Sequence, residues 1–303
     1  MLALFDYFPQ SLRMALYQLP VYARDELEEI RLRCNRFLQL RLRSGTFYAD
    51  KQGRLLQQSE GAFAVSKTCL DSCMEQFTAS SLYAWEHELS CGYLTLEGGH
   101  RVGFCGTCVI REGRISGIRD ISSINVRVAR QIKGVSDELM PYLISGEQVK
   151  NTLLISPPGC GKTTMLRDIA RNLSDGFGQF PGVDVAVADE RGELGATCRG
   201  TVGNDLGSRT DVLDGCPKAA GMIMLLRTMC PRVLITDEIG SREEAEAVAQ
   251  ALRSGVSVIA SVHGRDRREV LDRMPELAKL FGLFVTLRCR EGVHEIAAVE
   301  EYD

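Results

Sequence analysis

"LLISPPGCGKTTMLRDIA", residues 153–170, sets an apolar run against a bare turn and then a helical pattern. Leu153, Leu154 and Ile155 run into Ser156 and Pro157-Pro158-Gly159-Cys160-Gly161, followed by Lys162, Thr163 and Thr164. Beyond them Met165, Leu166, Ile169, Ala170 and Leu173 share one face of a helix. Gly159 and Gly161 let the backbone curl so that successive N–H groups point inward, and the helix N-terminus adds partial positive charge to that concavity. Such a nest holds phosphates. The spacing is that of a P-loop, so Pro158, Gly159, Cys160, Gly161, Lys162, Thr163 and Thr164 are expected to line a nucleotide. Lys162 is expected to reach the β- and γ-phosphates, and the Thr163 hydroxyl to ligate Mg²⁺. Ser156 stands where the usual pattern has glycine, a small departure.

The residues after this stretch alternate strand and helix. "VDVAVAD" (183–189), "RVLITD" (232–237) and "VSVIASV" (256–262) are short β-branched runs with little alternation, as expected for strands buried on both faces of a parallel sheet. Pro217 suits the first turn of a helix, Ser241-Arg-Glu-Glu244 reads as a capping box, and Gly255 closes that second helix. Ligands bind at the C-terminal ends of strands in open α/β sheets, so the residues ending each run are the candidates. Asp237 is expected to hold Mg²⁺, and Glu238 to orient and deprotonate an attacking water. The extra strand "VDVAVAD" is expected to lie between the P-loop strand and the one bearing Asp237, which, with Glu238 directly after Asp237, favours a RecA-like core with an intervening strand over the small-GTPase plan. It ends at Asp189-Glu190-Arg191, where Glu190 is a candidate for positioning water or metal, against a plain salt bridge with Arg191. His263, at the end of the buried strand that follows Asp237, is a candidate to sense a γ-phosphate or to link its state to a neighbouring element. The glycine-rich segment "GATCRGTVGNDLGSRTDVLDG" (195–215) reads as a mobile functional loop, in which Arg199 and Arg209 are candidates to face nucleotide or a central pore. Two strands around Glu291-Gly292 finish the chain.

Before residue 135 the pattern differs. "EIRLR" (29–33) and "LQLRLR" (38–43) put apolar residues on one sheet face and arginines on a solvated other face. Ser66 and Ser80 or Ser81 are expected to cap two short helices, the second closed near Gly92. Strands with turns at Gly98-Gly99 and Glu112-Gly113 follow. The division is a smaller α+β domain with a mostly antiparallel sheet over 1–135, a linker over 136–150, and a RecA-like P-loop NTPase domain over 151–303, α/β with a mostly parallel sheet flanked by helices. Of 303 residues 45% are apolar and 25% charged, enough for a real core. A formal net charge of −4 argues against a whole-surface nucleic-acid binder and leaves local basic patches open. No run reaches the ~18 apolar residues that span a bilayer, so a soluble, cytoplasmic protein without direct membrane insertion is expected. Eleven cysteines scattered through strands and helices read as reduced thiols, and the Cys105–Cys108 pair as structural.

Together "ISPPGCGKTTMLRDIA", "DERGEL", "NDLGSRTDVLDGCPKA", "VLITDEIGSREEAEAVAQALRSGVSVIASVHG", "EIRLR" and "GGHRVGFCG" resemble the stage III sporulation protein AA family over nearly the whole chain. That family is similar to the ATPases of type II secretion and type IV pili, which form hexameric rings. The resemblance implies Walker A and B roles for Lys162, Thr163, Asp237 and Glu238, an acidic-box role for Glu190 and a histidine-box role for His263. It implies ATP with Mg²⁺, and arginines of the first domain completing the site, with Arg101, Arg119 and Arg127 in the corresponding stretch; Arg209 is a further candidate from its own loop. The implied setting is the mother-cell cytoplasm, peripheral to the membrane through proteins of a sporulation channel complex. Two other functions compete: a RecA-like nucleic-acid motor, disfavoured by the charge, and a nucleotide-gated scaffold without turnover, disfavoured by the intact Asp237-Glu238 pair.

Overall fold

The computed structural model describes residues 2–78, 92–111, 113–198, 200–290 and 293–302. The chain divides into two compact units, Met1–Arg130 with Cys198–Thr201, and Gln131–Thr197 with Val202–Asp303.

In the first unit β1 (Leu27–Arg33), β3 (Gln39–Leu42), β4 (Gly45–Ala49), β5 (Leu55–Leu56), β7 (Tyr93–Leu96), β8 (His100–Arg111) and β9 (Arg114–Arg127) form an antiparallel sheet of order β5-β4-β3-β1-β9-β8-β7. A separate short pair joins β2 (Arg36–Phe37) to β6 (Ala64–Val65). Period-2 alternation sets the inner face: Ile30, Leu32, Leu40 and Leu42 are buried while Arg33 and Arg41 are exposed. That face packs against helices Leu2–Phe5, Gln10–Tyr17 and Lys67–Phe77, with Phe8 and Phe77 edge-to-face at 5.5 Å. The Ser66 hydroxyl caps Lys67–Phe77 by accepting the Cys69 N–H at 3.1 Å. The Ser80 or Ser81 cap, Glu112 and the Glu291-Gly292 turn lie outside the described residues. Cys105 and Cys108 both sit exposed on β8, and every cysteine among the described residues is a free thiol.

In the second unit β12 (Thr152–Ser156), β15 (Val185–Asp189), β16 (Thr210–Asp214), β17 (Val233–Thr236), β18 (Ser257–His263), β19 (Leu283–Arg290) and β20 (Val293–Glu301) form one sheet of order β16-β15-β17-β18-β12-β19-β20. All neighbours are parallel except the last hairpin. Every residue of β12, β15 and β17 is buried, because helices cover both faces. Alternate residues of β12 feed two cores: Leu154 packs under helix Lys162–Asp175, while Leu153 and Ile155 face Met222, Val248 and Phe281. None of the described helices is long and apolar enough to cross a membrane.

Three features depart from the sequence reading. The strand lying between β12 and β17 in the sheet is β18, while β15 sits on the outer side of β17. Residues 210–214, expected within a mobile loop, form edge strand β16; pairing on one side only leaves it half exposed, which hides it from a search for apolar runs. Residues 136–150, expected as a linker, belong to the second unit. They carry helix Met140–Leu143 and the small hairpin of β10 (Ile144–Ser145) and β11 (Gln148–Val149), and bury Leu139, Met140 and Leu143 in its core.

Asp168 fastens this segment to the P-loop helix. It is 1% exposed and accepts the Ser136 N–H and hydroxyl, each at 2.9 Å, and the Arg171 guanidinium at 2.7 Å. Replacing Asp168 with Ala leaves these donors buried and unpaired, and the expected loss is about 3 kcal/mol of unfolding free energy by urea titration. A loss under about 1 kcal/mol, the scale of a surface pair, contradicts the anchoring role.

Candidate functional site

Parallel strands bring their C-terminal ends to one edge. Ser156 pairs in register with His263, Thr236 with Ala188 and Ala260, and Asp189 with Asp214. Residues immediately following β12, β15, β17 and β18 therefore emerge together, and the expected residues Lys162, Glu190, Asp237, Glu238 and His263 are brought to this edge.

The loop after β12 turns through left-handed Gly159 and Gly161, at φ +74° and +83°. Helix Lys162–Asp175 starts at once, with Gly161 as an N-cap offering no side chain to its first N–H groups. Thr163 and Thr164 occupy its first turn, and the Cys160 thiol folds back toward the Pro158 carbonyl at 3.8 Å. Lys162 is 5% exposed. Its ammonium donates to the Ser156 carbonyl at 3.1 Å, the Ser156 hydroxyl at 3.2 Å and the Pro157 carbonyl at 3.2 Å, and lies 3.0 Å from His263 Nδ1. Burial pulls its pKa below the ordinary lysine value, against the opposing charges of Glu238, Cys160 and Asp237. Ser156, the departure from the glycine pattern, thus supplies two of the lysine's acceptors.

His263 joins the lysine to the carboxylate, its Nε2 lying 2.9 Å from Glu238 Oε1. With Nδ1 accepting from the ammonium, Nε2 carries the proton shared with Glu238. The other Glu238 oxygen takes Arg191 Nη1 at 2.9 Å. Arg191 therefore pairs with Glu238, and Glu190 turns instead to Lys218 Nζ at 3.7 Å. Glu238 itself adopts φ +43°, a left-handed conformation costing a side-chain-bearing residue roughly 1–2 kcal/mol.

Asp237 is 2% exposed, and burial followed by the nearby charge of Asp189 raises its pKa to about 6. Asp214 is raised to about 6 by the same two causes. Asp189 is fully buried and accepts the N–H groups of Glu193, Leu194 and Gly195 at 2.7–2.9 Å, so it anchors the turn after β15. Sequence reading passed over Asp189, Lys218 and Ser261; the available signal for Asp189 was an acid at a strand end ahead of a glycine-containing turn. Among the described residues no group of three or more His, Cys, Asp and Glu is arranged to hold a metal ion. Mg²⁺ at phosphate sites takes one or two protein oxygens and completes its shell with phosphate and water. The hard oxygen donors of Thr163 and Asp237 fit that demand, and a cation would offset both the burial and the Asp189 charge that raise Asp237.

A cavity of about 450 Å³ adjoins the loop. Its lining includes Cys160, Gly161 and Thr164 and the apolar Ile132, Val135, Leu287 and Ile296.

Arg209 is a correction. It immediately precedes β16 at the opposite end of the sheet, where its N–H donates to the Ser174 hydroxyl at 2.7 Å and its guanidinium to the Gly182 carbonyl. A parallel edge strand carries its first residue away from the edge where its last residue, Asp214, emerges. Arg209 therefore does not reach the loop of its own chain. Arg199 lies outside the described residues. In the first unit Arg101 stacks on Tyr93 at 4.5 Å, Arg119 pairs with Asp120 at 3.6 Å and Arg127 with Glu29 at 4.0 Å.

A family profile described as sporulation stage III, protein AA matches residues 6–295. The Stage III sporulation protein AA of Bacillus subtilis (strain 168) is 40% identical over 303 residues, covering 98% of this chain and 94% of that protein. Among solved structures the ATPase DotB of Legionella pneumophila superposes with a TM-score of 0.56 at 17% identity, covering 96% of this chain and 77% of that one. The pilus retraction motor PilT with bound ADP gives 0.55 at 13% identity, covering 91% and 79%. These two share the fold, an α/β unit of P-loop type preceded by a smaller α+β unit.

A carboxyl raised in the native state binds its proton more tightly there than in the unfolded chain, where its pKa is about 3.9. The stability it contributes is present at low pH and is lost as pH rises toward and through about 6. Without divalent cations, Asp237→Asn should raise Tm at pH 7.5, an effect of about 2–3 kcal/mol that narrows as pH falls from 6 to 4. Scanning calorimetry in EDTA checks it; identical melting at pH 7.5 refutes the strained carboxylate.

Proposed function

The chain belongs to the stage III sporulation protein AA family, and from that premise we propose that it is the Mg²⁺-dependent, ATP-hydrolysing motor of a sporulation channel. One observation carries this reading: a buried lysine in a glycine-turned loop is linked through His263 to the carboxylate after β17. A merely structural strand end has no use for a cation, an imidazole and an acid in that chain.

The triphosphate lies along the loop from Pro158 to Thr164, with the nucleoside in the cavity beside Thr164. Lys162 exchanges the carbonyls of Ser156 and Pro157 for phosphate oxygens, which are anionic and make stronger, charge-assisted hydrogen bonds. Thr163 and Asp237 would hold Mg²⁺, which would supply positive charge against the phosphates. Glu238 orients a water and takes its proton as the water oxygen bonds to the γ-phosphorus. The bond to the bridging oxygen breaks, and ADP departs with its electron pair. Because His263 touches both Lys162 and Glu238, a phosphate that draws Lys162 away changes the partners of the base, which gives His263 its sensor role. Glu190 supports the same edge.

Self-association into a ring, with six copies as the expected number, fits the shared fold and the need for a cation that Arg209 does not supply within its own chain. Arg101, Arg119 and Arg127 are the candidates to complete a neighbour's site. On this reading the docked partners are membrane proteins of the channel complex in the mother cell, the setting that family membership suggests.

Lys162→Ala should abolish binding of a fluorescent ATP analogue, and binding at wild-type affinity removes the phosphate-site assignment. Glu238→Gln should keep that affinity while steady-state hydrolysis falls by roughly 10²–10⁴-fold, the range for a positioned general base. An unchanged rate transfers the base role to another residue, Glu190 first.

A further inference from the structure

Glu238 is the one non-glycine residue at this edge whose catalytic assignment and left-handed backbone coincide, and two groups outside the expected site clamp its peptide. On one side the Glu238 N–H donates to the Ser261 hydroxyl at 3.0 Å, and the next N–H, of Ile239, donates to the Ser261 carbonyl at 2.8 Å. On the other side Lys218 Nζ donates to the Glu238 carbonyl at 2.7 Å and to the Asp237 carbonyl at 3.1 Å.

Lys218 is an unusual structural lysine. It opens helix Lys218–Thr228, which follows edge strand β16 and Pro217, and its side chain is 6% exposed. A buried ammonium requires acceptors on all sides. Besides the two carbonyls it lies 3.5 Å from Glu244 and 3.7 Å from Glu190. Glu244 in turn accepts the N–H groups of Gly240 and Ser241 at 2.7 and 2.8 Å, closing the capping box of helix Arg242–Arg253. One cation therefore ties the turn after β17 to the helix before it, the helix after it and the acid after β15. A residue held in a sparsely populated conformation persists only where its surroundings over-determine it.

Resting on the hydrolytic reading above, we infer that Lys218, with Ser261, is a positioning residue that holds the Asp237-Glu238 peptide in its left-handed turn and so aims the Glu238 carboxylate at the attacking water. Neither residue touches nucleotide. Both act through the backbone of Glu238, so their loss affects the chemical step more than binding. Without the Lys218 donor the two carbonyls lose their common partner and the turn relaxes toward ordinary φ, displacing the carboxylate from Arg191 and His263. Methionine keeps the buried stem of Lys218 and removes only the charge and its donors, so the substitution opens no large cavity.

The experiment measures steady-state ATP hydrolysis, ATP-analogue affinity and Tm for the full chain carrying Lys218→Met or Ser261→Ala, each alone and combined with Glu238→Gln. A misplacement of about 1 Å costs on the order of 10²-fold. Lys218→Met is expected to lower kcat by about 10- to 100-fold with KM and analogue affinity within about threefold, and to add nothing once Glu238 is Gln. Non-additivity is the signature of two residues acting as one unit. A purely structural lysine lowers Tm but leaves kcat of the folded protein alone, and that result overturns the inference. So does a Lys218→Met effect of the same factor in the Glu238→Gln background. Should Lys218→Met fail to fold, Ser261→Ala, which deletes one hydroxyl from the other side of the same peptide, carries the same expectation and the same refutation. The unmutated chain separates the claims: if it neither binds nor turns over ATP, the hydrolytic reading falls and takes this inference with it. An active chain indifferent to Lys218 and Ser261 overturns the inference alone.

Discussion

A lysine ammonium buried to 5% exposure has to be surrounded by acceptors, and the edge of the second sheet is built around that demand. Ser156 and Pro157 meet part of it with oxygens of the loop itself, and His263 meets the rest from the neighbouring strand. Because His263 reaches on to Glu238, and Glu238 to Arg191, the contacts of Lys162 run on over the ends of four strands, β12, β18, β17 and β15. Desolvation keeps this arrangement responsive: the lysine's pKa is depressed by burial, and an anion arriving at the loop offers better compensation than neutral carbonyls do.

Strand order makes the coupling possible. With β18 between β12 and β17, the imidazole at the end of β18 stands between the lysine after β12 and the carboxylate after β17. Had β15 occupied that place, as its position in the chain invites one to expect, Glu190 would have been the link. Instead β15 lies beyond β17, and Glu190 reaches the site's other buried cation, Lys218. The roles of the two acids therefore follow from the crossover pattern more than from their own surroundings.

Much of this was legible in residue order. The apolar runs at 152–156, 233–236 and 257–263 needed no tertiary information, because a strand buried on both faces must be apolar throughout. The glycine turn and the Ser241 capping box are equally local devices. What stayed hidden was non-local. Edge strand β16 shows only its half-buried side to the core and so resembles a loop. The segment 136–150 reads as polar and short of regular structure, yet Asp168, on a helix some thirty residues later, fixes it by capturing Ser136. Arg209 looked like a site residue because it lies in a glycine-rich stretch; the direction of a parallel strand places it at the wrong end. Lys218 carried no motif, since its importance comes entirely from which carbonyls the fold puts around it.

The same contrast sorts the acids at this edge. Asp189, Asp237 and Glu238 all follow or end buried strands, and a sequence cannot rank them. Three N–H groups of its own turn absorb the charge of Asp189, which leaves it structural and makes it a fixed negative neighbour. Burial, together with that neighbour, raises the pKa of Asp237. Glu238 is held by movable side chains, Arg191 and His263, while its peptide is pinned between Ser261 and Lys218. A rigid backbone under exchangeable side-chain partners is the combination a general base requires: the carboxylate must be aimed before the water arrives and released from its resting contacts when it does. On this physical ground, and not on its place in a motif, the proposed base role goes to Glu238 and not to Asp189 or Asp237.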